Sequence, residues 1–198
     1  MALTSQENSH LDLQTKPMVE LLVGICSIPA IGPESGGDGE LEKAEFLQTT
    51  LEKMGFEHIE RHDVPDSRVK SGIRPNIIVT IPGKTEKVVW VVTHLDIVPP
   101  GDISQWSSDP YRPEIRDGKL YGRGTEDNGQ EIVASIYAAK ALMDLNITPQ
   151  RTVKLCFVSD EETGSDYGIQ ALIDAKKFSP DDIIIVPDYG ISDSSLVE

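Results

Sequence analysis

The stretch VVWVVTHLDIVPPG, residues 88–101, runs six apolar or β-favouring residues into His94 and Asp96 and then stops at two prolines and a glycine. A histidine at the end of a rigid strand is held in place by its backbone. A carboxylate two residues on points to the same side and can accept the proton of one ring nitrogen, leaving the other free to ligate. Four more acidic residues occupy comparable places. Glu161 and Glu162 follow the run VKLCFVS, Asp188 follows IIIVP, and Asp127 lies in the turn GRGTEDNG just before a helical pattern. One imidazole with several carboxylates is a ligand set for zinc or a similar divalent ion such as cobalt or manganese, and carboxylates can bridge two ions about 3.5–4 Å apart. Each residue also has a purely structural use. A histidine after a strand can cap or pack, an acidic pair can be solvated, Asp127 can be a helix N-cap and Asp188 can open a turn. What favours a metal site is their joint placement.

That placement depends on the elements around them. Residues 17–28 put Met18, Leu21, Leu22 and Ile25 on one helical face before IPAIGP ends the helix, and ELEKAEFLQTTLEKMG is a second amphipathic helix with Gly55 as its stop. EHIERHDV reads as an edge strand, NIIVTI and VVWVVT as buried strands, and PEIRDGKLYGRG as a hairpin turning at Asp117-Gly118. A helix from about Gln130 to Leu145 follows, then the strand TVKLCFVS, a short helix near YGIQALIDAKK and the strand DIIIVP. Buried strands alternating with helices predict an α/β domain with a mostly parallel central sheet flanked by helices. In such sheets the ligand crevice forms at the carboxyl ends of the strands, where all of these residues except Asp127 fall.

Composition narrows the partners. The chain has 198 residues with 33 acidic against 18 basic, a formal net charge of -15, so its surface repels nucleic acid and anionic lipid. Cys26 and Cys156 form no C-x-x-C pair and read as buried thiols. No basic n-region with an apolar core opens the chain, and no run of about 18 apolar residues occurs in it, which makes a cytoplasmic protein the expectation. Residues 1–14 are expected to be a flexible N-terminus, and His10, His58 and His62 to lie on the surface.

THLDIVPPG, WSSDPYRPEIRDGKLYGRGTEDNG, SDEETGS and VPD, taken together, resemble the catalytic domain of the M20 metallopeptidases, a group that includes acetylornithine deacetylase, succinyl-diaminopimelate desuccinylase, aminoacylase-1 and carboxypeptidase G2. The resemblance spans about residues 15 to 190. It implies a zinc-peptidase-like fold and two zinc ions, one held by His94, Asp127 and Asp188 and the other by Glu162 with the bridging Asp127. It also implies Glu161 as general base, Asp96 as the orienting partner of His94, and a cis peptide bond after Asp127. The implied reaction is hydrolysis of a C–N amide bond in a small N-acyl amino acid or peptide.

Two departures qualify it. Members of the family run about twice this length, with a dimerising lid domain after the segment corresponding to Asp188 and a late zinc histidine, whereas here no histidine follows His94. The expectation is the N-terminal portion of a catalytic domain over 15–198, inactive in isolation and a homodimer at full length. The alternative is a non-catalytic remnant or interaction module that keeps the fold. DNGQ also stands where the family commonly has a lysine and glycine, a change that falls on the surroundings of the ligands rather than on the ligands themselves.

Overall fold

The three most apolar stretches of the chain lie side by side in the computed structural model, which describes residues 4–188. They form β2 (Ile73–Ile81), β3 (Thr85–His94) and β6 (Arg151–Val158), within a five-stranded sheet ordered β1-β2-β6-β3-β7, where β1 is Ile59–Pro65 and β7 is Ile183–Ile185. Successive side chains of a strand face opposite sides, so a strand covered on both faces must be apolar at nearly every position. That explains the runs. Ile77, Val79, Leu155 and Phe157 pack into one core with α2 (Thr15–Cys26), α3 (Leu41–Lys53) and α4 (Gln130–Asp144), while Ile78, Trp90, Val92, Cys156 and Val158 pack on the other face with Leu172 of α5 (Ile169–Asp174).

The sheet is mixed. β3 pairs in parallel with both β6 and β7, and this parallel half is the α/β unit anticipated from the alternation of strands and helices. On the other side β2 runs antiparallel to β6 and to β1, and a short connection with no crossover helix joins β1 to β2. The predicted hairpin is present as β4 (Glu114–Arg116) and β5 (Lys119–Tyr121), turning through Asp117 and Gly118 at φ 49° and 74°. Both cysteines are free and buried.

The segment read as a flexible N-terminus contains a helix, α1 (Ser5–Leu13). None of its side chains is buried, so it lacks the apolar face that sequence periodicity detects. It is held instead by a capping box, in which Thr4 Oγ1 accepts from the Glu7 amide at 3.2 Å and the Thr4 amide donates to Glu7 Oε2 at 2.6 Å. His10 pairs with Asp144 of α4 at 3.3 Å and is therefore partly covered, whereas His58 is exposed and His62 half-buried. Among the described residues no helix is long and apolar enough to cross a membrane.

Candidate metal centre

His94 is the last residue of β3, and its side chain is 2 % exposed. Its Nδ1 lies 3.0 Å from the main-chain oxygen of Asp96. A carbonyl only accepts, so Nδ1 carries the hydrogen and Nε2 presents a lone pair when the ring is neutral. That lone pair faces two carboxylates, with Asp127 Oδ1 at 3.0 Å and Asp188 Oδ1 at 3.4 Å. Ligand atoms of His94, Asp127 and Asp188 all lie within 4.8 Å of one another. Three acceptors converging on one point need a cation among them. Without a metal a proton fills the role: burial alone would lower the His94 pKa, but Asp96 and then Asp127 and Asp188 outweigh it and lift it to about 9.

Strand ends and one tight loop produce this convergence. Asp188 stands three residues beyond β7, the parallel neighbour of β3. Asp127 sits in the loop Thr125–Gly129 that leads into α4, and the Asp127-Asn128 peptide bond is cis, as the sequence resemblance implied. The loop closes on itself when the Gly129 amide donates to Gly124 O at 3.0 Å. Both glycines are required there. Gly124 has φ 79°, and a Cβ on Gly129 would lie 2.4 Å from Gly124 O. Asn128 then ties the pieces together: its Oδ1 accepts from the His94 amide at 3.2 Å, and its Nδ2 donates to Asp188 Oδ1 at 2.8 Å. The sequence singled out DNGQ as an unusual surrounding for the ligands, but pattern alone did not show that Asn128 joins two of them.

Asp96 is in place but works differently from expectation. Its carboxylate stands 3.6 Å from His94 Nδ1, which is served by the Asp96 carbonyl instead. The carboxylate oxygens accept the amides of Glu161 and Glu162, each at 3.0 Å. These two N–H groups open a short 3-10 turn, Glu161–Thr163, and have no partner inside it, so the buried carboxylate meets the greater need. One aspartate thus orients the histidine and pins the acidic turn.

Glu161 joins Thr93, His94, Asn128, Val186 and Asp188 in lining a small pocket at the strand ends. Its pKa is raised, first by burial, with His94 opposing and Asp188, Asp96 and Asp127 adding to the rise. Glu162 lies outside the three-residue ligand group. Burial and then the charge of Asp127 push its pKa up to about 7, and its Oε1 is buried with no hydrogen-bond partner among the described residues. A buried carboxylate oxygen left unsatisfied is costly unless a cation or proton meets it. This orphaned oxygen and the crowded Nε2 of His94 both fit the donor set of a divalent metal centre.

Residues 90–195, which include every residue of the centre, match the model of peptidase family M20/M25/M40. A metallohydrolase of Methanocaldococcus jannaschii is 40% identical over 191 residues, covering 91% of this chain and 46% of that protein. The succinyl-diaminopimelate desuccinylase of Dechloromonas aromatica is 33% identical over 163 residues, covering 80% of this chain and 38% of its own length. Among solved structures, human carnosine dipeptidase 1 superposes with a TM-score of 0.76 at 25% identity, over 96% of this chain and 42% of that one. The chain therefore spans less than half the length of the relatives it matches. With the family match covering more than half of the chain and enclosing the His94–Asp127–Asp188 cluster, this polypeptide belongs to peptidase family M20/M25/M40.

Proposed function

We propose that this chain supplies the metal-binding portion of a zinc-dependent amide-bond hydrolase acting on a small peptide or N-acyl amino acid. The observation that carries the reading is His94: its Nδ1 hydrogen is committed to Asp96, and its Nε2 faces two carboxylate oxygens. In this reading His94, Asp127 and Asp188 hold one zinc ion, with cobalt or manganese able to substitute, and Asp127 with the orphaned Glu162 contributes to a second. When bound, such ions polarise the scissile carbonyl and lower the pKa of water toward neutrality. The remaining steps belong to the protein. Glu161 accepts the proton of the attacking water, and its raised pKa lets it return that proton to the departing amine, leaving an amine and a carboxylic acid. Asp96 keeps Glu161 in reach by holding its amide, and Asn128 keeps Asp188 turned toward His94.

Support for the substrate class comes from the relatives, one a desuccinylase and another a dipeptidase. Cytoplasmic placement is part of the same proposal and rests on two free, buried cysteines. Because the chain spans less than half the length of the relatives it matches, we further propose that it binds metal yet is inactive alone.

Two experiments test this. Zinc uptake by equilibrium dialysis is expected to reach at least one ion per chain, and Asp127→Ala is expected to abolish it. Activity is tested with a chimera that joins this chain to the remainder of the Methanocaldococcus relative. Amine release from dipeptides and N-succinyl amino acids should appear in the chimera, be absent from the isolated chain, and fall about 10²–10⁴-fold in Glu161→Gln without loss of zinc. A folded, zinc-loaded chimera that cleaves no amide, or one indifferent to Glu161→Gln, contradicts the proposal.

A further inference from the structure

Behind the Glu161–Glu162 turn lies a buried ionic network that the metal chemistry does not use. At its centre is Arg74 of β2, whose side chain has no exposure. Its guanidinium grips Glu40, the residue preceding α3, through two contacts, with Nε donating to Oε2 at 2.7 Å and Nη2 donating to Oε1. Nη1 stands 3.5 Å from Asp66 Oδ2, and Nη2 stands 3.5 Å from Asp160 Oδ1. The same guanidinium lies over the ring of Tyr167, with Arg74 Cζ 5.5 Å from the ring centroid. Glu40, Asp66 and Asp160 are all buried as well.

Asp160 connects this network to the turn. It is a non-glycine residue at φ 66° immediately before Glu161, and the chain that follows uses every one of its oxygens. Oδ1 accepts from Thr163 Oγ1 at 2.5 Å, Oδ2 accepts from the Tyr167 amide at 3.1 Å, and the main-chain oxygen accepts from the Ser165 amide at 2.6 Å. β2 also reaches this segment through Asn76, two residues beyond Arg74. Asn76 Oδ1 accepts from the Ser159 amide at 3.0 Å, and its Nδ2 donates to Tyr167 O at 2.9 Å. The turn is thus clamped on both sides, with Asp96 taking its first two amides and β2 holding its base through Asp160.

We propose that Arg74 is the positioning residue for the Glu161–Glu162 turn, acting through Asp160 to fix where those two carboxylates stand. Arg74 touches no metal ligand and takes no part in the reaction itself; its functional weight rests on the hydrolase reading above. The planar fork matters as much as the charge, since only a guanidinium can engage Glu40 through two atoms and still face Asp160. A lysine supplies one point charge.

Amide hydrogen exchange followed by NMR tests this in the intact chain, comparing wild type with Arg74→Lys and Asp160→Asn. In both variants the amides of Glu161 and Glu162 are expected to exchange roughly tenfold faster or more, while the β2–β6 ladder amides change by less than about threefold. A residue serving only general stability would speed ladder and turn together, so equal acceleration overturns the proposal, as does a turn that keeps wild-type protection. If Arg74→Lys fails to fold, Glu40→Gln decides the matter, because it loosens the hold on Arg74 while leaving the bonds of Asp160 to Thr163 and Tyr167 intact, and turn amides that keep wild-type protection in it overturn the proposal. Zinc uptake by the wild-type chain in the same samples checks the underlying reading separately. No uptake removes the functional role of the turn whatever its amides do, whereas uptake with unchanged turn amides overturns the role of Arg74 alone.

Discussion

At His94 a single imidazole serves two opposite ends of the site. Nδ1 is fixed by a backbone carbonyl, and the lone pair on Nε2 is directed at carboxylates that would repel it unless a cation stood between them. His94, Asp96, Asp127 and Asp188 could be picked out as candidates in the sequence because each is a metal-ligand type of residue at a strand end or helix entry, and the fold brings His94, Asp127 and Asp188 together. Asn128 and Asp160 were not, because an amide or a carboxylate in a loop has no periodicity: the partners of Asn128 lie 34 and 60 positions away, and Thr163, which Asp160 binds, lies just across a turn. Asn128 yields the first prediction at this scale. Asn128→Ala removes the hydrogen bond that turns Asp188 toward His94 and should weaken zinc binding about 10–100-fold by competition with a chromophoric chelator. Unchanged affinity would mean that Asp188 is held in place by other contacts.

Elements were easier to read than contacts. Helices α2, α3 and α4 and the buried strands announced themselves through period and apolar runs, and the Asp117-Gly118 turn through its need for positive φ. The antiparallel side of the sheet was not announced, since an apolar run looks the same in either direction. α1 was missed because it buries nothing, although its Thr4–Glu7 capping box was present in the sequence. Two predictions concern how elements carry the site. Leu47 of α3 is fully buried in the core with α2 and β2, so Leu47→Ala should cost about 2–5 kcal/mol in chemical denaturation. Zinc affinity of the folded variant should not change, because α3 supplies no ligand.

Asp66, in the connection between β1 and β2, bears on acid stability. Hydrogen bonds from Arg68 hold its carboxyl well below the usual range, at about 2 against an ordinary 3.8. A depressed carboxylate pKa contributes stability that is complete above the unfolded value and lost as pH falls through the folded one. The stability gap between wild type and Asp66→Asn should therefore be constant above about pH 4 and close between about pH 4 and pH 2. Denaturant titrations at several pH values measure it. A gap that stays constant across this window would show that Asp66 is not stabilised in its charged form.

Across the whole molecule the charge balance sets the terms. The chain carries a net charge of -15 and gathers several of its carboxylates at one edge of the sheet, where they repel one another and His94 offers a partly compensating charge. Ligands that bind only the folded state stabilise it by mass action, by about 2.7 kcal/mol at a hundred times the dissociation constant. Zinc should accordingly raise the melting temperature, chelation should reverse the rise, and Asp127→Ala should remove it. A melting temperature indifferent to zinc would indicate that the acidic edge is not a metal site.

The most direct test of the centre is anomalous diffraction at the zinc edge from crystals of the wild-type chain grown with zinc. A peak about 2.0–2.2 Å from His94 Nε2 and from carboxylate oxygens of Asp127 and Asp188 is the predicted result. No peak among these three residues in crystals that hold zinc elsewhere, or in zinc-saturated crystals without any, would contradict it.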